Sequence, residues 1–156
     1  ENGLPCHENA TTSFIRGIEF DVRWKMGYFF NLDVNGSYSA NKVSTDTFGE
    51  RMNHILSPST TFNADFYWDN YDFNIGFDTN YHSKMYLDMT NEHTLPYLWT
   101  LNFHGLYRFR DLEFGVRVNN ITNKVNYCTG MVNDIGDVLY FRNAGTNFIV
   151  SVKYNF

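Results

Sequence analysis

Apolar and polar residues alternate with period two along nearly the whole chain, which predicts strands carrying one greasy and one wet face. The end of the chain is the clearest case, with Phe148, Val150, Val152, Tyr154 and Phe156 alternating with Asn147, Ile149, Ser151, Lys153 and Asn155. Six further runs share the pattern. Phe14, Ile18, Phe20, Val22 and Trp24 interleave with Glu19, Asp21, Arg23 and Lys25, and Tyr28 to Tyr38 interleave with Asn31, Asp33, Asn35 and Ser37. Phe62, Ala64, Phe66 and Trp68 oppose Asn63, Asp65 and Tyr67, while Tyr71 to Tyr81 oppose Asp72, Asn74, Asp78 and Asn80. Trp99, Leu101, Phe103, Tyr107 and Phe109 face away from Thr100, Asn102, His104 and Arg108, and Leu112 to Val118 face away from Glu113, Arg117 and Asn119. Most runs reach the ~9 to 11 residues that a tilted strand needs to cross a bilayer.

Connections between the runs alternate in length. Lys25-Met26-Gly27, Asp69-Asn70 and Arg110-Asp111 are tight turns, whereas 41–57, 87–96 and 127–139 are long and mostly polar. Short turns on one side and long loops on the other are the signature of bacterial outer-membrane barrels, with the long loops outside the cell. Aromatic residues cluster at both ends of the runs, as interfacial girdles do: Trp24, Tyr28, Trp68, Tyr71, Phe109 and Tyr154 by the short turns, and Tyr38, Tyr81, Tyr97, Trp99 and Tyr127 toward the long loops.

Composition supports strands over helices. Aromatic residues make up 19% of the 156, including 15 Phe and 11 Tyr, and only 3 Pro occur. No stretch approaches the ~18 apolar residues of a spanning helix, so a spanning role falls to strands. The net charge of -5, with acids scattered along the chain, argues against a nucleic-acid partner, whose phosphates want a basic face. A soluble β-sandwich binding module also alternates, but its strands usually run about five or six residues, half the length of most runs here.

Seven strands cannot close a barrel whose termini share one side, and an open sheet would leave unpaired backbone in hydrocarbon. The count therefore predicts further strands, from upstream residues or a second chain. The start, Glu1-Asn2-Gly3-Leu4-Pro5, has neither an initiator Met nor a signal-type segment, which fits either the removal of a signal peptide and more or a chain beginning in the middle of a longer one.

Three places resemble the TonB-dependent outer-membrane receptors at their last strands. Pro96 to Asn102 with Gly105-Leu106-Tyr107-Arg108-Phe109 is similar to the antepenultimate strand. Leu112 to Lys124, ending Asn119-Asn120-Ile121-Thr122-Asn123-Lys124, is similar to the penultimate one. Tyr154-Asn155-Phe156 matches the terminal aromatic signal read by barrel-assembly machinery, and Ser13 to Phe20 resembles an upstream strand. The resemblance implies an all-β transmembrane antiparallel barrel of about 22 strands, of which residues 1–156 supply about the last seven. It implies a plug domain and earlier strands outside this chain, in the same or a second chain, and a location in the outer membrane of a Gram-negative bacterium. Partners would be outer-membrane lipid, an energy-coupling TonB-type protein and a surface lipoprotein. The implied activity is ligand import without covalent chemistry or a cofactor. The rival readings are a passive porin or small eight-stranded barrel, and the soluble module.

No enzyme motif is present: there is no phosphate loop, nucleophile elbow or paired-Cys metal spacing. His54, His82 and His93 fall in or beside long loops, where a solvated His is the commoner outcome than a metal or haem ligand. Cys6 and Cys128 both map to long-loop segments, and either a disulfide between them or two separate thiols fits that placement. The polar face offers Glu19, Asp21, Arg23, Asp33, Asp65, Asp78, His104, Arg108, Glu113 and Arg117 as a lumenal wall able to contact a plug or a passing ligand.

Overall fold

The computed structural model describes residues 12–44 and 51–156, and it contains strands, turns and loops. Twelve strands occur in the order β1 (Thr12–Met26), β2 (Phe30–Ser44), β3 (Arg51–Asn53), β4 (Thr60–Asp69), β5 (Phe73–His82), β6 (Met85–Tyr86), β7 (Thr94–Leu95), β8 (Leu98–Phe109), β9 (Leu112–Asn119), β10 (Tyr127–Val132), β11 (Val138–Arg142) and β12 (Asn147–Tyr154). The seven longer ones that match the sequence periodicity form one antiparallel meander, β1-β2-β4-β5-β8-β9-β12, with β3 folded back onto β2. Every long strand thus pairs with its neighbours in the chain, and β1 and β12 form the two edges.

Register fixes the faces. Trp24 lies opposite Leu32, Leu32 opposite Phe66, Phe66 opposite Phe77, Phe77 opposite Phe103, Phe103 opposite Val118 and Val118 opposite Phe148. One unbroken apolar row therefore crosses all seven strands, and a one-residue slip anywhere would throw polar groups into it. The opposite face carries Arg23, Asp33, Asp65, Asp78 and Asn102 in the same manner. Aromatic pairs reinforce neighbouring strands, with Phe73 and Tyr107 rings 4.6 Å apart and Phe77 and Phe103 rings 5.4 Å apart.

The apolar row is not a core. Ile18 is 71% exposed and Phe148 76%, while the buried hydrophobic residues, Val43, Met85 and Leu95, lie at or in the long loops. The chain exposes 11187 Å², against about 8,100 Å² expected of a compact soluble monomer of this mass. A sandwich would cover such a face with a second sheet; here water is replaced by whatever apolar medium surrounds the sheet.

Tight turns follow from local chemistry. Gly27 adopts φ 74 and Arg110 φ 53, the left-handed conformation that closes a hairpin. Asn70 caps its own turn, its side-chain oxygen accepting from the Asp72 and Phe73 amides at 2.9 and 2.7 Å.

The long connections hold more order than the periodicity predicts. β2 runs on to Ser44, into the segment read as loop, because its polar residues Ser39 to Lys42 still find ladder partners in β1 and β3. β6 pairs with β7 and β10 with β11, which turns the second and third long loops into short hairpins. Leu95, fully buried, anchors the first of these.

Candidate functional site

The polar face assembles its charges by register. Asp33, Asp65 and Asp78 are direct cross-strand partners on three adjacent strands, an arrangement that like-charge repulsion disfavours unless other groups intervene. They do intervene. Arg117 Nη2 donates to Asp78 Oδ1 at 2.9 Å, Asn102 Nδ2 donates to Asp78 Oδ2 at 2.7 Å, and Tyr67 Oη donates to Asp33 Oδ2 at 3.4 Å. His104 sets Nδ1 3.6 Å from Asp78 Oδ1 and 3.9 Å from Asp65 Oδ1. Asp65 Oδ1 itself is buried without a hydrogen-bond partner. One carboxylate oxygen in the middle of the cluster is therefore left with unused acceptor capacity.

This face is tightly built around Gly76, which lies opposite His104. A Cβ there would stand 2.5 Å from Tyr67 Cβ and 2.7 Å from the Phe66 carbonyl, so only glycine lets Tyr67 and His104 approach each other across β5. A recess of about 240 Å³ opens beside the cluster, lined by Asp33, Asn35, Asn63, Asp65, Asp78 and Asn80. Toward the short turns, Arg108 reaches Asp69 at 3.7 Å, and Glu113 accepts from Asn155 at 3.0 Å with Lys153 3.7 Å away.

All ten residues singled out as a polar wall lie on this face by register, spread from Glu19, Asp21 and Arg23 at the β1 edge to Glu113 and Arg117 on β9. Asp33, Asp65, Asp78, His104 and Arg117 come together; Glu19, Asp21 and Arg23 stand apart at the exposed edge, where Arg23 pairs with Asp21 at 3.5 Å. Tyr67 and Asn102 belong to the cluster as well, Asn102 being 5% exposed, but as two polar-face residues among many they carry no mark in the sequence.

A second feature sits where β9 ends. Asn120 and Asn123 adopt φ 50 and 51, left-handed values that asparagine tolerates better than most residues. The Asn120 amide uses all four of its hydrogen-bonding positions, donating to the Lys124 carbonyl at 3.0 Å and the Ala144 carbonyl at 3.4 Å. It accepts from the Lys124 amide at 3.2 Å and the Thr122 hydroxyl at 3.3 Å. Asn126 replaces a missing ladder pair on β8, donating to the Trp99 carbonyl at 2.9 Å and accepting from its amide at 3.3 Å. The Asn-rich ending that carries the family resemblance thus centres on the buried Asn120 amide, 3% exposed, with Asn126 beyond it 2% exposed.

The three histidines weighed as ligands lie apart in function. His82 Nδ1 pairs with the Ser83 carbonyl and His54 Nδ1 with the Ile55 carbonyl, while His93 binds the Asp88 carboxylate. Among the described residues no group of three His, Cys, Asp or Glu side chains is arranged to hold a metal ion. Burial pushes the Asp88 carboxyl up, but hydrogen bonds from the His93 ring and from the His93 and Glu92 amides outweigh it and leave the pKa below the usual value. Cys128 is exposed, its thiol donating to the Phe141 carbonyl at 3.3 Å. Cys6 lies outside the described residues, and so does the pairing considered between them.

Residues 3–121 match the family model described as TonB dependent receptor-like, beta-barrel. Among solved structures, the ferric yersiniabactin uptake receptor FyuA from Yersinia pestis superposes with a TM-score of 0.80 at 18% identity, covering 95% of this chain and 24% of that one. The siderophore receptor PiuA from Acinetobacter baumannii gives 0.75 at 13% identity, covering 91% and 22%. The ferric-catecholate import receptor Fiu from E. coli K12 gives 0.73 at 16% identity, covering 92% and 21%. The chain spans less than a quarter of each of these structures, and its fold is part of such a barrel. No curated protein matches it in sequence.

Proposed function

Because the chain belongs to the TonB-dependent receptor-like β-barrel family, we propose that it is the C-terminal part of an outer-membrane receptor that imports a ligand. The apolar row faces lipid, the Asp-His-Arg face lines the lumen, and the long loops meet the cell exterior. Further strands pair with β1 and β12, and a plug domain fills the lumen.

One observation carries this reading over a passive pore: residues 3–121 match the receptor-like β-barrel family. In this reading the exposed part of the Asp65 side chain faces the plug, with Asp33, Asp78, His104 and Arg117 around it. Energy from a TonB-type partner then loosens the plug and admits the ligand. The protein carries out no covalent step and needs no cofactor. FyuA is a ferric yersiniabactin uptake receptor and Fiu a ferric-catecholate import receptor, which makes ferric siderophores the first ligand class to assay.

The test is the natural full-length protein in outer-membrane extract. A heat-modifiable species several times larger than 18.3 kDa, with ligand uptake that stops when the TonB-type partner is deleted, supports the reading. A mature species of about 18.3 kDa, or uptake indifferent to that partner, refutes it.

A further inference from the structure

The charged cluster and the Asn120 turn are joined by one side chain. Asn102 of β8 is 5% exposed and spends both ends of its amide. Its Nδ2 donates to Asp78 Oδ2 at 2.7 Å, and its Oδ1 accepts from the Asn120 backbone amide at 2.8 Å. Only one orientation of the amide satisfies both neighbours: turned over, it would set its oxygen against a carboxylate and its nitrogen against an N–H. A buried group fixed in this way cannot follow one partner without losing a bond to the other.

Those two partners belong to different parts of the molecule. Asp78 holds the charged cluster, since its Oδ1 accepts from Arg117 at 2.9 Å and lies 3.6 Å from His104 Nδ1, which in turn lies 3.9 Å from Asp65 Oδ1. Asn120 is the root of the long connection between β9 and β12. Its side chain holds the Lys124 and Ala144 carbonyls at 3.0 and 3.4 Å, and its own carbonyl accepts from the Thr146 hydroxyl at 2.8 Å. A continuous hydrogen-bonded chain therefore runs from both ends of that connection through Asn120 and Asn102 to Asp78, and His104 extends it to Asp65. The turn is also pinned to β8 independently, by the Ile121 amide donating to the Leu101 carbonyl at 2.8 Å.

We propose that Asn102 is a positioning residue that couples the root of the β9–β12 connection to the aspartate cluster, so that displacement of that connection by an external ligand alters retention of the plug. This rests on the reading above, in which the Asp65 face meets a plug and the long loops lie outside.

In the natural full-length receptor, amide exchange of residues 120–126 reports the root, and limited proteolysis of the plug reports the cluster. Asp78→Ala removes a side chain that makes no hydrogen bond to 120–126 among the described residues, yet it should speed their exchange roughly fivefold. In an Asn102→Ala background it should add less than about twofold, because the link is already cut. Reciprocally, Thr146→Val loosens the root from outside and should raise plug cleavage roughly fivefold, with no further rise in Asn102→Ala. Exchange indifferent to Asp78→Ala overturns the proposal. So does an effect that persists without Asn102, which would travel through Arg117 and Asn119, whose side chains bond at 3.0 Å. Asp65→Asn, which alters the plug-facing group itself, separates the two readings. Where it changes plug cleavage and Thr146→Val does not, the coupling is refuted. Where neither changes it, the plug reading fails, and the exchange cycle alone decides whether Asn102 links the two ends. Should Asn102→Ala fail the heat-modifiability control, Asn102→Ser, too short to span both bonds, takes its place in the same cycle.

Discussion

The Asn120 knot allows a prediction in which two physical effects can be separated. In Asn120→Ala the Lys124 amide and the Lys124 and Ala144 carbonyls lose a partner in a pocket that excludes most water. Leaving buried backbone groups unpaired costs about 1–3 kcal/mol each, and partial rehydration of this rim position argues for the low end, about 2–3 kcal/mol in all. The φ of 50 adds a further cost of about 1 kcal/mol for alanine. The total is about 3–4 kcal/mol. Asn120→Gly loses the same amide but keeps the backbone conformation at ease, so it should fall about 1 kcal/mol short of alanine. Asn120→Asp keeps the acceptor and loses the two donated bonds. The assay is urea unfolding of the full-length receptor in lipid vesicles, followed by the fluorescence of Trp99, whose backbone the adjacent Asn126 bridges. Alanine within about 0.5 kcal/mol of the natural protein, or glycine worse than alanine, would refute the argument, because neither is compatible with a buried amide on a left-handed residue.

Three shorter predictions come from other parts of the molecule. Gly76→Ala drives a methyl into Tyr67 and the Phe66 carbonyl and should cost about 1–3 kcal/mol, read as a lower temperature of heat modification; an unchanged temperature would show that β5 gives way freely. Asp65→Asn relieves repulsion from Asp33 and Asp78 in the bare barrel and should stabilise it by a few tenths of a kcal/mol, yet weaken retention of the plug in the intact receptor, a pair of opposite signs that limited proteolysis of the plug would detect. The Asp88 carboxyl has a folded pKa below its unfolded value, so its contribution to the loop is complete above the unfolded carboxylate pKa of about 3.9 and fades as the pH falls through the lower folded value. Hydrogen exchange of residues 85–95, corrected for intrinsic rates, should therefore lose protection in acid and not between pH 5 and 7, and Asp88→Asn should flatten the acid dependence.

The long strands were legible because burial in lipid and wetting of the lumen impose period two on every one of them, from Phe14 to Phe156. The hairpins β6-β7 and β10-β11 were not, since two-residue strands such as Met85–Tyr86 and Thr94–Leu95 are too short for any period to emerge. Polar Ser39 to Lys42 concealed the last third of β2 for a related reason: above the apolar band nothing enforces alternation. Of the site, the charged residues announced themselves by type and face. The geometry that singles out Asp65 did not, for an orphaned oxygen depends on where Asn102, Tyr67 and Arg117 spend their donors. The amide of Asn120 was visible as part of a family motif before its work as surrogate backbone could be seen, whereas Asn126 lay outside that motif.

The meander has a consequence for how such a protein is made. Each of the seven strands finds its partner through the next turn or loop in the chain, so the sheet can zip together by short-range closures that cost little chain entropy. The free sides of β1 and β12 are different: no strand among the described residues pairs there, so no short turn of this chain closes them. The slow step in maturation should thus be the pairing of those two edges, each closed only by a partner that no adjacent turn delivers.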